Sequence, residues 1–308
     1  MTNVLVITAY NKPELLYIGL MNILEDIKDY RILITTEEGY DPIQDEVLSR
    51  LLPDLNLARI VRKKKNDTFV GMRNILTSYL DARASADEYI ILLEEDIIPT
   101  KDYIKFNELV YKDYLSKYDR IFCAAHKRRP ETETNGDNGI LIGDYQCTSP
   151  SVVSCKAIDS YLAPELLNEQ VFTNTPAHYY FEFPNSRIPY NQHMHHDGFI
   201  ERVMEKYKLF GLKPDQARSS HVGLHGIHGK SSFEIEGSLD ERVKRYRELI
   251  KQPDKLRSLS NLPQDMVVAP INNPIAATLK LDLNRDLAKA SSWWYDRSNE
   301  FKEYICMK

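Results

Sequence analysis

Four short aliphatic runs organise the first 93 residues: Val4–Thr8 (VLVIT), Arg31–Thr36 (RILITT), Ala58–Arg62 (ARIVR) and Tyr89–Leu93 (YIILL). Each is short for a helix and too continuously apolar for a strand with one wet face. They read as strands covered on both sides. Between them lie segments with apolar residues at helical spacing: Glu14–Leu24, Asp41–Leu52 closed by Pro53, and Phe69–Leu80 with Met72, Ile75, Leu76 and Tyr79. Pro13 and Glu14 suit the first turn of the first helix. No hairpin signal joins any two runs. Strand alternating with helix predicts a parallel sheet with helices on both faces. Ligands of such sheets sit beyond the carboxyl ends of the strands.

Two polar segments fall at those ends. Ala9-Tyr10-Asn11-Lys12-Pro13 follows the first strand, and Glu94-Glu95-Asp96 follows the fourth, ahead of Ile97-Ile98-Pro99. Three adjacent carboxylates destabilise one another's ionised forms unless a cation or hydrogen-bond donors compensate. A hard divalent metal does so, and also grips the phosphates of a nucleotide. An inert, solvated acidic loop is the plain alternative. Its position directly after a buried strand argues for a site.

Further along, Asp102–Tyr118 reads as a helix and Arg120–Ala125 (RIFCAA) as a strand. Glu131–Gly139 is polar and Gly/Asn-rich, hence a loop. Gly143–Ser154 is expected to re-enter the sheet. Phe172–Gln192 is rich in Pro, Tyr and Phe with little periodicity. Asp197–Tyr207 reads as a helix, Arg218–Gly229 as a Gly/His-rich loop, and Leu239–Ile250 and Asn284–Ile305 as helices.

The chain has 308 residues and a net charge of −5. That is enough for a sizeable core, and too acidic overall for a general nucleic-acid binder. Its four cysteines, Cys123, Cys147, Cys155 and Cys306, form no CxxC pair and suit free thiols in a reducing compartment. The start lacks the pattern of a signal peptide, and no apolar run approaches membrane-spanning length. A cytoplasmic enzyme, bacterial or phage-encoded, is the expectation.

Three segments carry a resemblance. Val4–Leu16 (VLVITAYNKPELL), Thr68–Leu76 (TFVGMRNIL) and Tyr89–Tyr103 (YIILLEEDIIPTKDY) resemble the nucleotide-sugar half of GT-A glycosyltransferases, the triplet most nearly that of the N-acetylglucosaminyltransferase I-like family. The resemblance implies donor contacts from Thr8, Ala9, Tyr10, Asn11 and Arg73. It implies Asp96 as ligand of Mn2+ or Mg2+ in a DXD-type motif, with Glu94 and Glu95 nearer the ribose and base. The middle Glu departs from the family pattern. Gly211–Phe233 resembles a later family segment, implying that Arg218 pairs with phosphate or holds its loop. Asp197, in His195-His196-Asp197-Gly198-Phe199, falls where the family keeps its catalytic base. Inverting displacement by an acceptor hydroxyl follows from that role. The family's flanking Trp residues are missing, so the acceptor pocket differs. The resemblance covers residues 1 to about 233.

Six of the eight histidines cluster at His193, His195, His196, His221, His225 and His228. Neutral imidazole is a common ligand. Some GT-A enzymes add a late His to the metal, which makes His221 the first choice and His225 the second. Ordinary loop hydrogen bonding is the alternative for each. A zinc hydrolase built from this cluster with Asp197 is a rival reading, weakened by the lack of an H-E-x-x-H helix. A nucleotidyltransferase would want a Gly-rich loop after the first strand, and a binding module without catalysis would leave the three carboxylates idle. Arg62–Lys65 and Lys127–Arg129 read as solvated loops, or as contacts for a diphosphate or a polyanionic acceptor such as modified DNA. Trp293-Trp294-Tyr295 reads as a helix docking on the core or a sugar platform.

The expectation is thus an α/β, Rossmann-like GT-A fold with a mostly parallel sheet and a helical C-terminal extension. Residues 1–233 form the transferase domain, with 1–125 the donor half and 126–233 the acceptor half; residues 234–308 form the extension. The activity expected is transfer of a hexosyl or pentosyl group from a UDP-linked donor to an acceptor hydroxyl.

Overall fold

The computed structural model describes residues 3–37, 41–63, 72–125, 139–143, 150–167, 196–214, 217–222, 236–259 and 280–281. Strand and helix alternate as expected from the first strand on: β1 (Val4–Thr8), α1 (Pro13–Ile23), β2 (Arg31–Glu37), α2 (Ile43–Leu51), β3 (Leu57–Lys63), α3 (Met72–Arg83) and β4 (Tyr89–Glu94). A short strand β5 (Ile97–Pro99) follows, then α4 (Tyr103–Val110), which continues through a π-helical turn, Tyr111–Leu115. Next come β6 (Ile121–Ala124), β7 (Gly139–Gly143), β8 (Val152–Ser154), α5 (Cys155–Ala157) and α6 (Ala163–Leu166). The chain then forms α7 (His196–Tyr207), β9 (Phe210–Pro214), β10 (Ser219–His221), α8 (Leu239–Ile250), α9 (Pro253–Leu259) and β11 (Lys280–Leu281).

The main sheet has nine strands in the order β11-β7-β9-β6-β8-β4-β1-β2-β3. β1, β2, β3 and β4 are mutually parallel, and β6 and β9 share a direction. β8 runs against both β4 and β6, and β7 against β9. This is an α/β, Rossmann-like arrangement, with a mostly parallel sheet and helices on both faces. The antiparallel pairings are the minority that a mostly parallel sheet allows. β8 falls within the stretch expected to re-enter the sheet, and it runs against both of its neighbours.

Both faces of the central strands are buried, which explains their continuous apolar sequences. Leu5, Ile7, Ile32, Ile34, Ile91 and Leu93 pack on one side with α1, α2, α4 and α8. Val4, Val6, Leu33, Ile90 and Leu92 pack on the other with α3, α5, α6 and α7. The alternation is the strand period of two. Cys123 and Cys155 are buried thiols outside any disulfide. Among the described residues no helix is long and apolar enough to cross a membrane. The helix expected over Asn284–Ile305, the Trp293–Trp294 pair and the Phe172–Gln192 segment lie outside the described residues.

α8, expected to belong to an extension, is part of this core. A Ser238–Glu241 capping box starts it, and Leu239, Val243, Tyr246 and Leu249 are buried in the cluster that holds α1. Arg50 of α2 reaches Asp240 at 2.6 Å. Arg242 reaches Asp41 at 2.7 Å and lies 3.8 Å from Glu14, a fully buried residue in the first turn of α1. Burial pushes the Glu14 carboxyl up to about 7, against the pull of its own backbone N–H and Arg242. A raised carboxyl pKa means the folded state holds its proton more tightly than the unfolded chain. Native stability is therefore lost as pH rises from about 4.5 to about 7. The loss amounts to about 3 kcal/mol. Glu14→Gln should remove this component. In urea melts from pH 4.5 to 8, the variant should gain on the wild type up to about pH 7 and then hold a constant lead; parallel pH profiles would refute the assignment.

Candidate functional site

The parallel register brings three strand ends to one edge. Thr8 stands beside Glu94 on one side and Thr35 on the other. The ladder continues past the last paired residues: the Glu95 N–H donates to Thr8 O at 3.0 Å and the Ala9 N–H to Thr35 O at 2.9 Å. The β1–α1 turn and the acidic triplet are therefore held side by side.

Glu95 lies under that turn. Its carboxylate accepts the backbone N–H groups of Tyr10 at 2.6 Å, Asn11 at 3.1 Å and Lys12 at 3.1 Å. These donors precede α1, where unpaired N–H groups and the helix dipole favour an anion. Lys12 itself caps the helix, its carbonyl accepting from Leu15 and Leu16 at 3.1 and 3.0 Å. Burial pushes the Glu95 carboxyl upward, and Lys12 and the N–H groups of Tyr10 and Asn11 offset this only in part.

Asp96 takes two cationic or potentially cationic partners on one oxygen. Lys12 Nζ lies 2.7 Å and His221 Nε2 2.9 Å from its Oδ2. Burial alone would raise the Asp96 carboxyl, but His221 and Lys12 together hold it well below the usual carboxylate range. Lys12 is mostly buried too. Desolvation pulls its ammonium down, yet Asp96, Glu95 and Glu94 outweigh this and hold it above its ordinary value.

His221 arrives from a two-stranded ribbon. β10 pairs antiparallel with β5, setting His221 opposite Ile97, and the Val222 N–H closes on Asp96 O at 3.0 Å. The loop read over Arg218–Gly229 thus begins with a strand. The base of the ribbon is pinned. Thr100 N–H donates to Arg218 O at 2.9 Å, and the guanidinium of Arg218, 1% exposed, pairs with Asp102 at 2.8 Å. It also lies 5.8 Å from the Phe106 ring centroid. Arg218 is therefore built into the frame of the ribbon. α1 passes close beneath: a Cβ on Gly19 would stand 3.1 Å from Ile97 O, so a side chain there would press on β5.

Of the residues singled out in the sequence, Thr8, Ala9, Tyr10, Asn11, Glu94, Glu95, Asp96 and His221 gather at this edge. α3 starts at Met72, after β3, and runs back toward the start of β4. α7 starts at His196 and leads directly into β9. Both helices therefore begin near the carboxyl edge, which puts the backbones of Arg73 and Asp197 on that side; their side chains lie outside the described residues. So does His225. Among the described residues no group of three or more His, Cys, Asp or Glu is placed to hold a metal.

Two features escape a sequence reading. Lys12 was visible only as part of a turn, and nothing in its spacing shows that its ammonium reaches Asp96. At the end of β2, Glu37 is 6% and Thr36 3% exposed, and Glu37 Oε2 and Thr36 Oγ1 meet no partner among the described residues. Two buried polar atoms without partners at a strand's carboxyl end are the signal there.

No protein-family model matches the sequence, and no curated protein matches it. Among solved structures the chain is similar to residues 1–349 of S. aureus TarS, with 8% identity and a TM-score of 0.38 over 85% of this chain and 81% of that one. It is also similar to a candidate nucleotide-diphospho-sugar transferase from Desulfovibrio desulfuricans G20, with 11% identity and a TM-score of 0.37 over 82% and 98%. At these values neither likeness bears on the activity of this chain.

The Glu95 contacts carry a test of their own. Glu95→Ala removes a buried acceptor shared by three N–H groups, and a charged acceptor of this kind is worth about 3 kcal/mol. The variant should melt several degrees lower, and amide exchange at Tyr10, Asn11 and Lys12 should accelerate first. Unchanged exchange at those amides would show that the turn holds without Glu95.

Proposed function

We propose that the chain is a glycosyltransferase that takes a nucleotide-linked sugar, UDP-linked by the resemblance, at the carboxyl edge of β1, β2 and β4 and passes the sugar to an acceptor hydroxyl. The observation that carries this reading is the meeting of Asp96 and His221 at 2.9 Å beside the β1–α1 turn. Asp96 lies in the turn between β4 and β5 and His221 in β10; the two sit where ligands of such sheets bind, and combine a hard oxygen donor with an imidazole nitrogen.

The fit to Mn2+ or Mg2+ can be judged from this pair. Asp96 is held in its ionised form, as a ligand must be. His221 Nδ1 is buried and meets no partner among the described residues, so Nε2 and Nδ1 are not both committed. Up to three carboxylate charges, Glu94 to Asp96, face the single ammonium of Lys12. A nucleoside diphosphate would add further negative charge, and a divalent cation is the counter-charge that makes room for it. Asp96 and His221 are the residues that would hold it, and when bound it would neutralise charge developing on the leaving diphosphate.

The remaining roles fall to the chain itself. The Tyr10–Lys12 turn, fixed by Glu95, forms one wall for the donor. Glu37 offers a buried acceptor to a hydroxyl or N–H of the nucleoside. Arg73, at the start of α3, would contact the phosphates. Asp197, at the start of α7, is the proposed base. It would take the proton of the acceptor hydroxyl as that oxygen attacks the anomeric carbon and the nucleoside diphosphate leaves, giving inversion.

Calorimetric titration with UDP, GDP and their sugars, with and without Mn2+, tests the donor site. One nucleotide should bind only with metal, and Asp96→Asn should lose that binding. Asp197→Asn should keep donor binding and lower kcat by about 10²–10⁴-fold. Metal-dependent nucleotide binding that survives Asp96→Asn would overturn the reading.

A further inference from the structure

We infer that Lys12 is the resident counter-ion of the cation site: its ammonium holds the Asp96 carboxylate until a divalent cation displaces it, and then turns to the diphosphate of the donor. This rests on Asp96 and His221 being the cation's ligands. Lys12 Nζ and His221 Nε2 address the same oxygen, Asp96 Oδ2, at 2.7 and 2.9 Å. A cation held by Asp96 and His221 would face the ammonium at close range, like charge against like charge. The two would compete for the carboxylate.

The backbone of Lys12 cannot follow. Its N–H is held by Glu95, its carbonyl by Leu15 and Leu16, and Pro13 fixes the next turn. Only the side chain is free to move, and lysine carries a compact charge on a flexible four-carbon stem. The ammonium therefore swings within reach of the same strand edge, where the phosphates of a donor bring the negative charge that replaces Asp96. Arg218, a cation of the neighbouring ribbon, is already paired with Asp102. Lys12 thus opposes the cation when it binds alone and assists it when the nucleotide is present. Cation and nucleotide binding become coupled through one side chain.

The test separates the two halves with Mn2+ and UDP as probes. Free Mn2+ is read by its EPR signal, without nucleotide, for the wild type, Lys12→Met, Lys12→Gln and Lys12→Arg, each checked for a wild-type circular dichroism spectrum. Lys12→Met and Lys12→Gln should bind Mn2+ about tenfold tighter or better, and at saturating Mn2+ they should bind UDP about tenfold more weakly. Lys12→Arg should follow the wild type in Mn2+ binding, because it keeps the charge. If neither neutral variant gains affinity for Mn2+, or if Lys12→Arg gains as much as they do, the inference falls while the cation site stands. If neither the wild type nor any variant binds Mn2+ in a manner lost on Asp96→Asn, the cation site falls and this inference with it.

Discussion

The Glu95 carboxylate joins the end of β4 to the start of α1, two places that lie more than 80 residues apart along the chain. Parallel strands bring their ends together but leave the loops beyond them without partners. The N–H groups of Tyr10, Asn11 and Lys12 would otherwise need water or a ligand. By taking all three, Glu95 fixes the path of the turn before any ligand arrives. It also sets the position of Lys12, and through Lys12 the environment of Asp96. The price is a buried carboxyl whose charged form is poorly solvated, which the direction of its pKa records.

A second constraint acts from outside the main sheet. The β5–β10 ribbon is only three residues long on each side, too short to hold itself together. It is held by what surrounds it. Arg218 is clamped to Asp102, Asn22 Nδ2 donates to Pro99 O at 3.2 Å, and Gly19 lets α1 come close beneath. The result is that His221 stands over Asp96 with little freedom to withdraw. Arg218 contributes to the site by fixing this ribbon through its pairing with Asp102.

The first 94 residues were legible in the sequence because each element there obeys a local rule. Val4–Thr8 and Tyr89–Glu94 are buried on both faces and so carry no polar residue until their ends. Leu239–Ile250 begins with a capping box and shows its apolar stripe. What stayed hidden depends on contacts between distant segments. Ser219–His221 has no strand signature of its own and becomes a strand only because Ile97–Pro99 offers it an edge. Val152–Ser154 enters the sheet in reverse, which no property of three residues announces. Glu95 resembled a ligand-facing carboxylate by its place in the triplet, yet its oxygens are turned to the backbone of residues 10–12. Lys12 could be expected only by asking which cation answers three adjacent carboxylates, a question about charge rather than about pattern.

That question also sorts the triplet. Three neighbouring carboxylates in one turn are not equivalent, because each meets a different environment. Glu94 still belongs to β4, paired in register with Thr8. Glu95 is answered by backbone N–H groups that cannot move without unwinding the start of α1. Asp96 is answered by side chains, an ammonium and an imidazole, which exchange partners at little expense in structure. Of Glu95 and Asp96, only Asp96 is compensated by groups that another cation can replace. A motif that looks like a block of negative charge in the sequence holds, in the folded protein, one carboxylate committed to backbone N–H groups and, next to it, one answered by exchangeable side chains.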